Sequence, residues 1–208
     1  MSDSYDYNYK IILLGDGGVG KSSMIQKYVY NKFSIHTSPT IGVVNTTKVV
    51  NVDGQKILLN IWDTAGQEKY RSMLSSFFRG CRAAILVYDI TKDHTFKSLD
   101  YWLKQVKDMG GESVKFLLIG NKADLESSRA VTQKVGLEMA KVNSMLFMET
   151  SCVSNYNIER AFQEIAESLY RSQVGPTQME NPEMQNNMNG ISILSHDLPS
   201  EKTKKCCN

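Results

Sequence analysis

The chain has 208 residues, 41% of them hydrophobic and 22% charged, which suits a globular protein of one domain with a sizeable core. Its formal net charge of +2 is too small to argue for a nucleic-acid partner. The longest apolar runs, such as Ala83 to Tyr88, fall short of the roughly 18 residues that a membrane span needs. The opening MSDSYDYNYK is expected to be neither a signal peptide nor a myristoylation site, having no basic start, no apolar middle and no Met-Gly.

The predicted elements alternate between strand and helix. KIILLG (Lys10 to Gly15) reads as a short strand that stops at glycine, and KSSMIQKYVYN (Lys21 to Asn31) has Met24, Ile25, Tyr28 and Val29 at helical spacing. TTKVVNV and QKILLNIWD flank Asp53-Gly54, a strong hairpin signal. Further strands are expected at Ala83 to Asp89, Lys115 to Asn121 and Leu146 to Ser151, with helices over about 96–109, 132–143 and 157–171. Continuous apolar strands alternating with helices imply a largely parallel sheet covered on both faces. The expected fold is α/β and doubly wound, with six strands, one of them antiparallel, and about five helices. Ligands of such sheets bind at the carboxyl ends of the strands.

Three loops at those ends carry chemistry. GDGGVGKSS fits G-x-x-x-x-G-K-[ST] through Gly15, Gly20, Lys21 and Ser22, after a predicted strand and into a predicted helix. Backbone N–H groups of Gly17, Gly18, Val19, Gly20, Lys21, Ser22 and Ser23 can then cradle phosphates, aided by the helix dipole. Side chains would obstruct that approach, which accounts for four glycines in six residues. Lys21 would reach the terminal phosphates and the Ser22 hydroxyl would reach Mg²⁺. This makes the sheet one of the P-loop NTPase type. The bland alternative is a glycine turn with a solvated lysine.

Asn121-Lys122-Ala123-Asp124 follows another predicted strand. The Asp124 carboxylate can accept from guanine's ring N–H and exocyclic amine, a pair that adenine lacks. Lys122 can lay its stem along the base, and Asn121 can tie neighbouring loops. In Asp63-Thr64-Ala65-Gly66-Gln67, Asp63 can hold Mg²⁺ through water, the Gly66 N–H can reach a γ-phosphate, and Gln67 can orient the attacking water.

The ordered set GDGGVGKS, TIG, WDTAGQE, NKAD and ETS resembles the Ras-superfamily small GTPases. LNIWDTAGQEKYRSM, FFRGCRA, LVYDIT and the terminal cysteine pair resemble the Rab family most closely. The resemblance covers about residues 9–171 and the last few. It implies a GTP hydrolase that cycles between GTP and GDP with Mg²⁺ and regulates vesicle traffic. Thr40 matches the switch threonine, whose hydroxyl completes the Mg²⁺ shell and whose N–H contacts the γ-phosphate; with Gln67 and Lys21 it makes the catalytic set. Phe33 matches the aromatic against the guanine edge, and Ser151 and Cys152 match the last guanine motif. That motif normally ends in lysine, where this chain has Val153. The effector-facing positions are Ile41, Gly42, Val43, Asn45, Trp62 and Phe77. Asn45 replaces the aromatic that Rabs normally pair with the positions of Trp62 and Phe77, so a different set of partners is expected.

After about Arg171 the composition turns polar and aperiodic, which predicts a GTP-binding domain over 1–171 and a flexible tail over 172–208. ISIL (Ile191 to Leu194) is an apolar island in it. Cys206 and Cys207 resemble the double-cysteine ending that Rabs have prenylated; two lipid attachments favour stable anchoring. Cys81 and Cys152 read as small core residues. His36, His94 and His196 read as solvated, and the sequon at Asn45 as accidental. The implied partners are an exchange factor, a GAP, prenylation escort or GDI-type proteins, and GTP-state effectors, acting on a monomer at the cytoplasmic face of an intracellular membrane and in the cytosol. The competing readings are a GTP-binding scaffold with little hydrolysis, a small phosphotransferase, and a Ras-like signalling GTPase outside traffic.

Overall fold

A computed structural model describes residues 4–34, 40–66, 77–111 and 113–175. Strand β1 (Tyr7–Leu14) leads through the glycine loop into α1 (Lys21–Tyr30); β2 (Val43–Val52) and β3 (Gln55–Thr64) follow. Next come β4 (Ala83–Asp89), α2 (Asp93–Lys97), α3 (Leu99–Gly110) and β5 (Lys115–Asn121). A 3-10 helix (Ala123–Ser128), α4 (Gln133–Val142), β6 (Leu146–Thr150) and α5 (Ile158–Val174) complete the described elements.

The strands form one six-stranded sheet in the order β2-β3-β1-β4-β5-β6. Every neighbouring pair is parallel except β2 and β3. That hairpin turns at Asp53 (φ 52°) and Gly54 (φ 81°), as the Asp-Gly pair predicts. Alternation along β1 feeds two cores. Ile11 and Leu13 join the face that buries Met24, Ile25, Tyr28, Phe162 and Ile165, while Ile12 and Leu14 join the face that buries Phe78, Leu99, Trp102 and Val106. On the first face α1 and α5 meet through stacked rings, Tyr28 over Phe162 at 4.0 Å between centroids. The chain leaves β1 toward α1 between neighbours β3 and β4, a topological switch point where such sheets bind ligands.

One expected helix differs. The segment expected as a single helix from about 96 begins at Asp93 and breaks at Ser98. Local side-chain bonds explain the break: the Thr95 hydroxyl donates to the Lys92 carbonyl at 2.7 Å and the Ser98 hydroxyl to the Thr95 carbonyl at 3.0 Å, competing with the helical ladder. The 3-10 helix after β5 was not expected at all.

Tyr88 in β4 is fully buried, and its hydroxyl has no hydrogen-bond partner among the described residues. It fits because two neighbours lack a side chain: a Cβ at Gly136 would lie 2.6 Å from the hydroxyl and one at Gly120 would lie 2.7 Å from it. Gly136→Ala is therefore expected to cost about 1–3 kcal/mol through overpacking. Tyr88→Phe, which removes an unpaired buried hydroxyl, should be neutral or stabilising, and should lessen the cost of Gly136→Ala. Urea unfolding of the two single variants and the double variant measures both effects.

Candidate functional site

The glycine loop packs closely against the rest of the protein. Gly20 stands at φ 103°, and a Cβ there would lie 2.2 Å from the Asn121 amide nitrogen. A Cβ at Gly66 would meet the backbone of Asp16 and Gly17 at 2.4–2.5 Å. The start of α1 has no side-chain cap, so its first N–H groups, at Lys21, Ser22 and Ser23, remain available to an anion. Lys21 is buried, and its Nζ donates back to the carbonyls of Gly15 at 2.7 Å and Asp16 at 2.9 Å. Burial pushes its ammonium down to about 8 against the opposing pull of Asp63 and Asp16.

Three oxygens converge beside it. The Ser22 and Thr40 hydroxyls lie 2.6 Å apart, and the Thr40 hydroxyl donates to Asp63 Oδ2 at 3.5 Å. Asp63 is buried and its Oδ1 has no hydrogen-bond partner among the described residues. Burial pushes its carboxyl up, opposed by Ser22, Lys21 and Thr40. One carboxylate and two hydroxyls are hard oxygen donors, a set that fits Mg²⁺ when water and phosphate oxygens fill the other positions. No group of three or more His, Cys, Asp or Glu among the described residues offers a rival metal site.

The other half of the site is closed by its own hydrogen bonds. Asn121, at the end of β5, donates from Nδ2 to the Val19 carbonyl at 2.8 Å and accepts from the Thr150 hydroxyl at 3.1 Å. Asp124 is exposed in the 3-10 helix and accepts from the Ser151 hydroxyl. Ser151 accepts in turn from the Ser154 N–H at 3.2 Å. Arg129 spans this region, binding Glu149 through both oxygens at 2.7 and 2.9 Å.

The glycine loop, Thr40 and most of the base-side residues line one cavity of about 560 Å³, while Asp63 lines a neighbouring one with Ser22 and Thr40. Gly17, Gly18, Gly20, Lys21, Ser22, Ser23, Thr40 and Gly66 line it at the phosphate-loop end, and Phe33, Asn121, Lys122, Asp124 and Cys152 line it elsewhere. Val19 contributes from beneath, fully buried, through the carbonyl that Asn121 binds. Ser151 takes part through Asp124. Burial pushes the Cys152 thiol up to about 11, so it is a protonated wall group. Ser34 and Leu125 also line the cavity and were missed; their adjacency to Phe33 and Asp124 was the available signal. Gln67, Cys206 and Cys207 lie outside the described residues.

The effector-facing positions form a neighbouring surface. Ile41 is 80% exposed. Val43, Trp62 and Phe77 pack on the core edge, with the Trp62 and Phe77 rings 5.5 Å apart. Asn45 is exposed and stands opposite Trp62 in the β2–β3 ladder.

A mostly parallel sheet with a glycine loop and buried lysine at its switch point defines a nucleotide-binding protein of the phosphate-loop class. The family model described as "Ras family" matches residues 10–171. Over nearly its whole length the chain is similar to curated proteins. It is 39% identical to the Ras-related protein YPTC6 of Chlamydomonas reinhardtii over 99% of this chain and 97% of that protein. It is 36% identical to the Ras-related protein Rab-11A of Dictyostelium discoideum over 99% of this chain and 97% of that protein. It is 37% identical to the Ras-related protein Rab2BV of Beta vulgaris over 100% of this chain and 98% of that protein. The chain belongs to the Ras family, as a small GTPase of the Rab type, and is a GTP hydrolase.

Gly20→Ala puts a methyl group into the Asn121 amide and a side chain into a left-handed backbone. It is expected to weaken GDP binding by at least roughly 100-fold, the loss of about 2.7 kcal/mol, measured by titration calorimetry on nucleotide-stripped protein.

Proposed function

We propose that this protein is a molecular switch of intracellular membrane traffic, ordered by GTP and relaxed by its hydrolysis. The observation that carries the reading is the cluster of Ser22, Thr40 and Asp63, which joins the phosphate loop to the segment before β2 through hydroxyl and carboxylate contacts. The Rab names of the relatives support the traffic role.

In this mechanism Asp124 binds the guanine edge, and the backbone N–H groups near Ser151 and Cys152 meet the base oxygen. Phe33 packs at the ring edge and Lys122 lies along its face. Amides from Gly17 to Ser23 surround the phosphates, and Lys21 exchanges its loop carbonyls for phosphate oxygens. Ser22, Thr40 and Asp63 would hold Mg²⁺, which supplies positive charge against the phosphates. Thr40 and Gly66 hold their segments to the γ-phosphate and release them once it has gone, the order–disorder logic of such switches. Gln67 orients the attacking water. Unaided turnover is slow, and a partner arginine supplied in trans raises it by roughly 10³–10⁵.

The partners in this reading are an exchange factor, a GAP, prenylation escort or GDI-type proteins and GTP-state effectors, all acting on a monomer. The GTP-binding domain spans 1–171 and the tail 172–208, although α5 continues through the tail's first three residues to Val174. Prenyl groups on Cys206 and Cys207 attach it to the cytoplasmic face of an intracellular membrane. The tail's Lys202, Lys204 and Lys205 are offset by Glu180, Glu183, Asp197 and Glu201, so lipid and not charge anchors it. No helix among the described residues is long and apolar enough to cross a membrane.

Asp124→Asn tests the base reading: preference should move from GTP toward XTP by roughly 10²-fold or more, within the range that paired polar recognition permits. Competition against a fluorescent nucleotide measures it, and an unaltered preference refutes Asp124 as the base reader. For the tail, intact-mass analysis of protein from eukaryotic membranes should find two prenyl groups; an unmodified mass removes the membrane assignment.

A further inference from the structure

Asp89, the last residue of β4, is a carboxylate that lines no part of the cavity and yet is 1% exposed. A buried charge is expensive unless paired. Its Oδ1 accepts from the Thr91 N–H at 2.9 Å and the Thr91 hydroxyl at 2.7 Å. Its Oδ2 lies 2.6 Å from Lys122 Nζ. Burial alone would push this carboxyl up, but Lys122 and Thr91 outweigh burial and hold it below its ordinary value, so Asp89 is an anion.

Lys122 lines the cavity and carries two demands at once. Its backbone sits at φ 67°, left-handed for a residue with a side chain, immediately before the 3-10 helix that carries Asp124. Its ammonium needs a counter-charge once a flat, neutral ring covers its stem. Asp89, which does not line the cavity, meets that need, and its backbone is pinned because it pairs with Asn121 across the β4–β5 ladder.

We infer that Asp89 is a positioning residue of the purine site: by holding the Lys122 ammonium away from the cavity it presents the lysine stem to the base, and so lengthens the nucleotide's residence. This rests on the guanine-nucleotide reading above. A carboxylate without contact to the nucleotide thereby sets part of its release rate.

The test is a chase experiment on the full chain loaded with N-methylanthraniloyl-GDP, with excess GDP added and the fluorescence decay followed. Asp89→Asn keeps the shape and removes the charge. It should speed release by roughly tenfold, the scale of one close buried ion pair. Lys122→Met keeps an apolar stem and removes the ammonium, and in that background Asp89→Asn should cause no further acceleration, because its effect passes through Lys122. A purely structural role would accelerate release equally in both backgrounds. Equal acceleration, or release from Asp89→Asn at the wild-type rate, overturns the inference. Should Asp89→Asn fail to fold by circular dichroism, Thr91→Ala removes one of its hydrogen bonds instead and should speed release about two- to fivefold, a fraction of the same interaction; a wild-type rate overturns the inference here too. A wild-type chain that retains no fluorescent GDP overturns the nucleotide reading itself, an outcome distinct from all of these.

Discussion

The carboxamide of Asn121 joins the two halves of the site. It donates to the Val19 carbonyl in the phosphate loop and accepts from Thr150 at the end of β6, and it can reach the loop because Gly20 has no Cβ in its path. Both bonds are buried, so losing either would strand a polar group at a cost of about 1–3 kcal/mol. The ends of β5 and β6 and the loop before α1 are therefore joined to one another. Glycine's conformational cost in the loop is offset by this close approach of protein to protein, as well as by room for phosphate.

The two halves differ in how far they are satisfied on their own. On the base side Asn121, Asp124, Ser151 and the Arg129–Glu149 pair have partners. On the phosphate side Lys21 turns back on its own loop carbonyls, and Asp63 keeps one buried oxygen without a partner among the described residues. An unpartnered buried carboxylate oxygen is costly in a low-dielectric setting, so that end would gain from a bound cation. In the switch proposed above, the base end would recognise and the phosphate end respond: the base is common to GDP and GTP, and only the phosphate count differs. Thr40 belongs to the responding half, since its hydroxyl bridges Ser22 and Asp63.

Much of this was legible in the sequence because it rests on short contiguous patterns. The glycine loop, Asp63 to Gly66 and Asn121 to Asp124 each stand at the end of an apolar strand, and parallel strands bring their carboxyl ends together. Asp53-Gly54 specified its own turn. What escaped depends on distance in the chain or on competition between side chain and backbone. The break at Ser98 arises from hydroxyls of Thr95 and Ser98 that compete with the helical ladder, where periodicity saw one helix. The role argued for Asp89 needs its ladder pairing with Asn121, 32 residues away, and no local pattern marks it. Tyr88 reads as an ordinary strand residue until Gly120 and Gly136 are found around its hydroxyl.

The chain's two departures from the Rab pattern fall at exposed positions outside those bonds. Val153 is 61% exposed and lines the cavity beside Cys152. Asn45 is exposed opposite Trp62, on a strand at the sheet's edge. Neither takes part in the Asn121 junction, the Lys21 contacts or the Ser22–Thr40–Asp63 cluster. Exposed substitutions away from such features usually change stability by no more than about 0.5 kcal/mol, so variation there is cheap for the fold. At an interface the same positions weigh more, because a few buried aromatic anchors commonly dominate binding. Trp62 and Phe77 still pair, but the third place holds an amide that needs a hydrogen-bonding partner. In the proposed reading, this surface would change which proteins it receives while the phosphate-reading residues stay as they are.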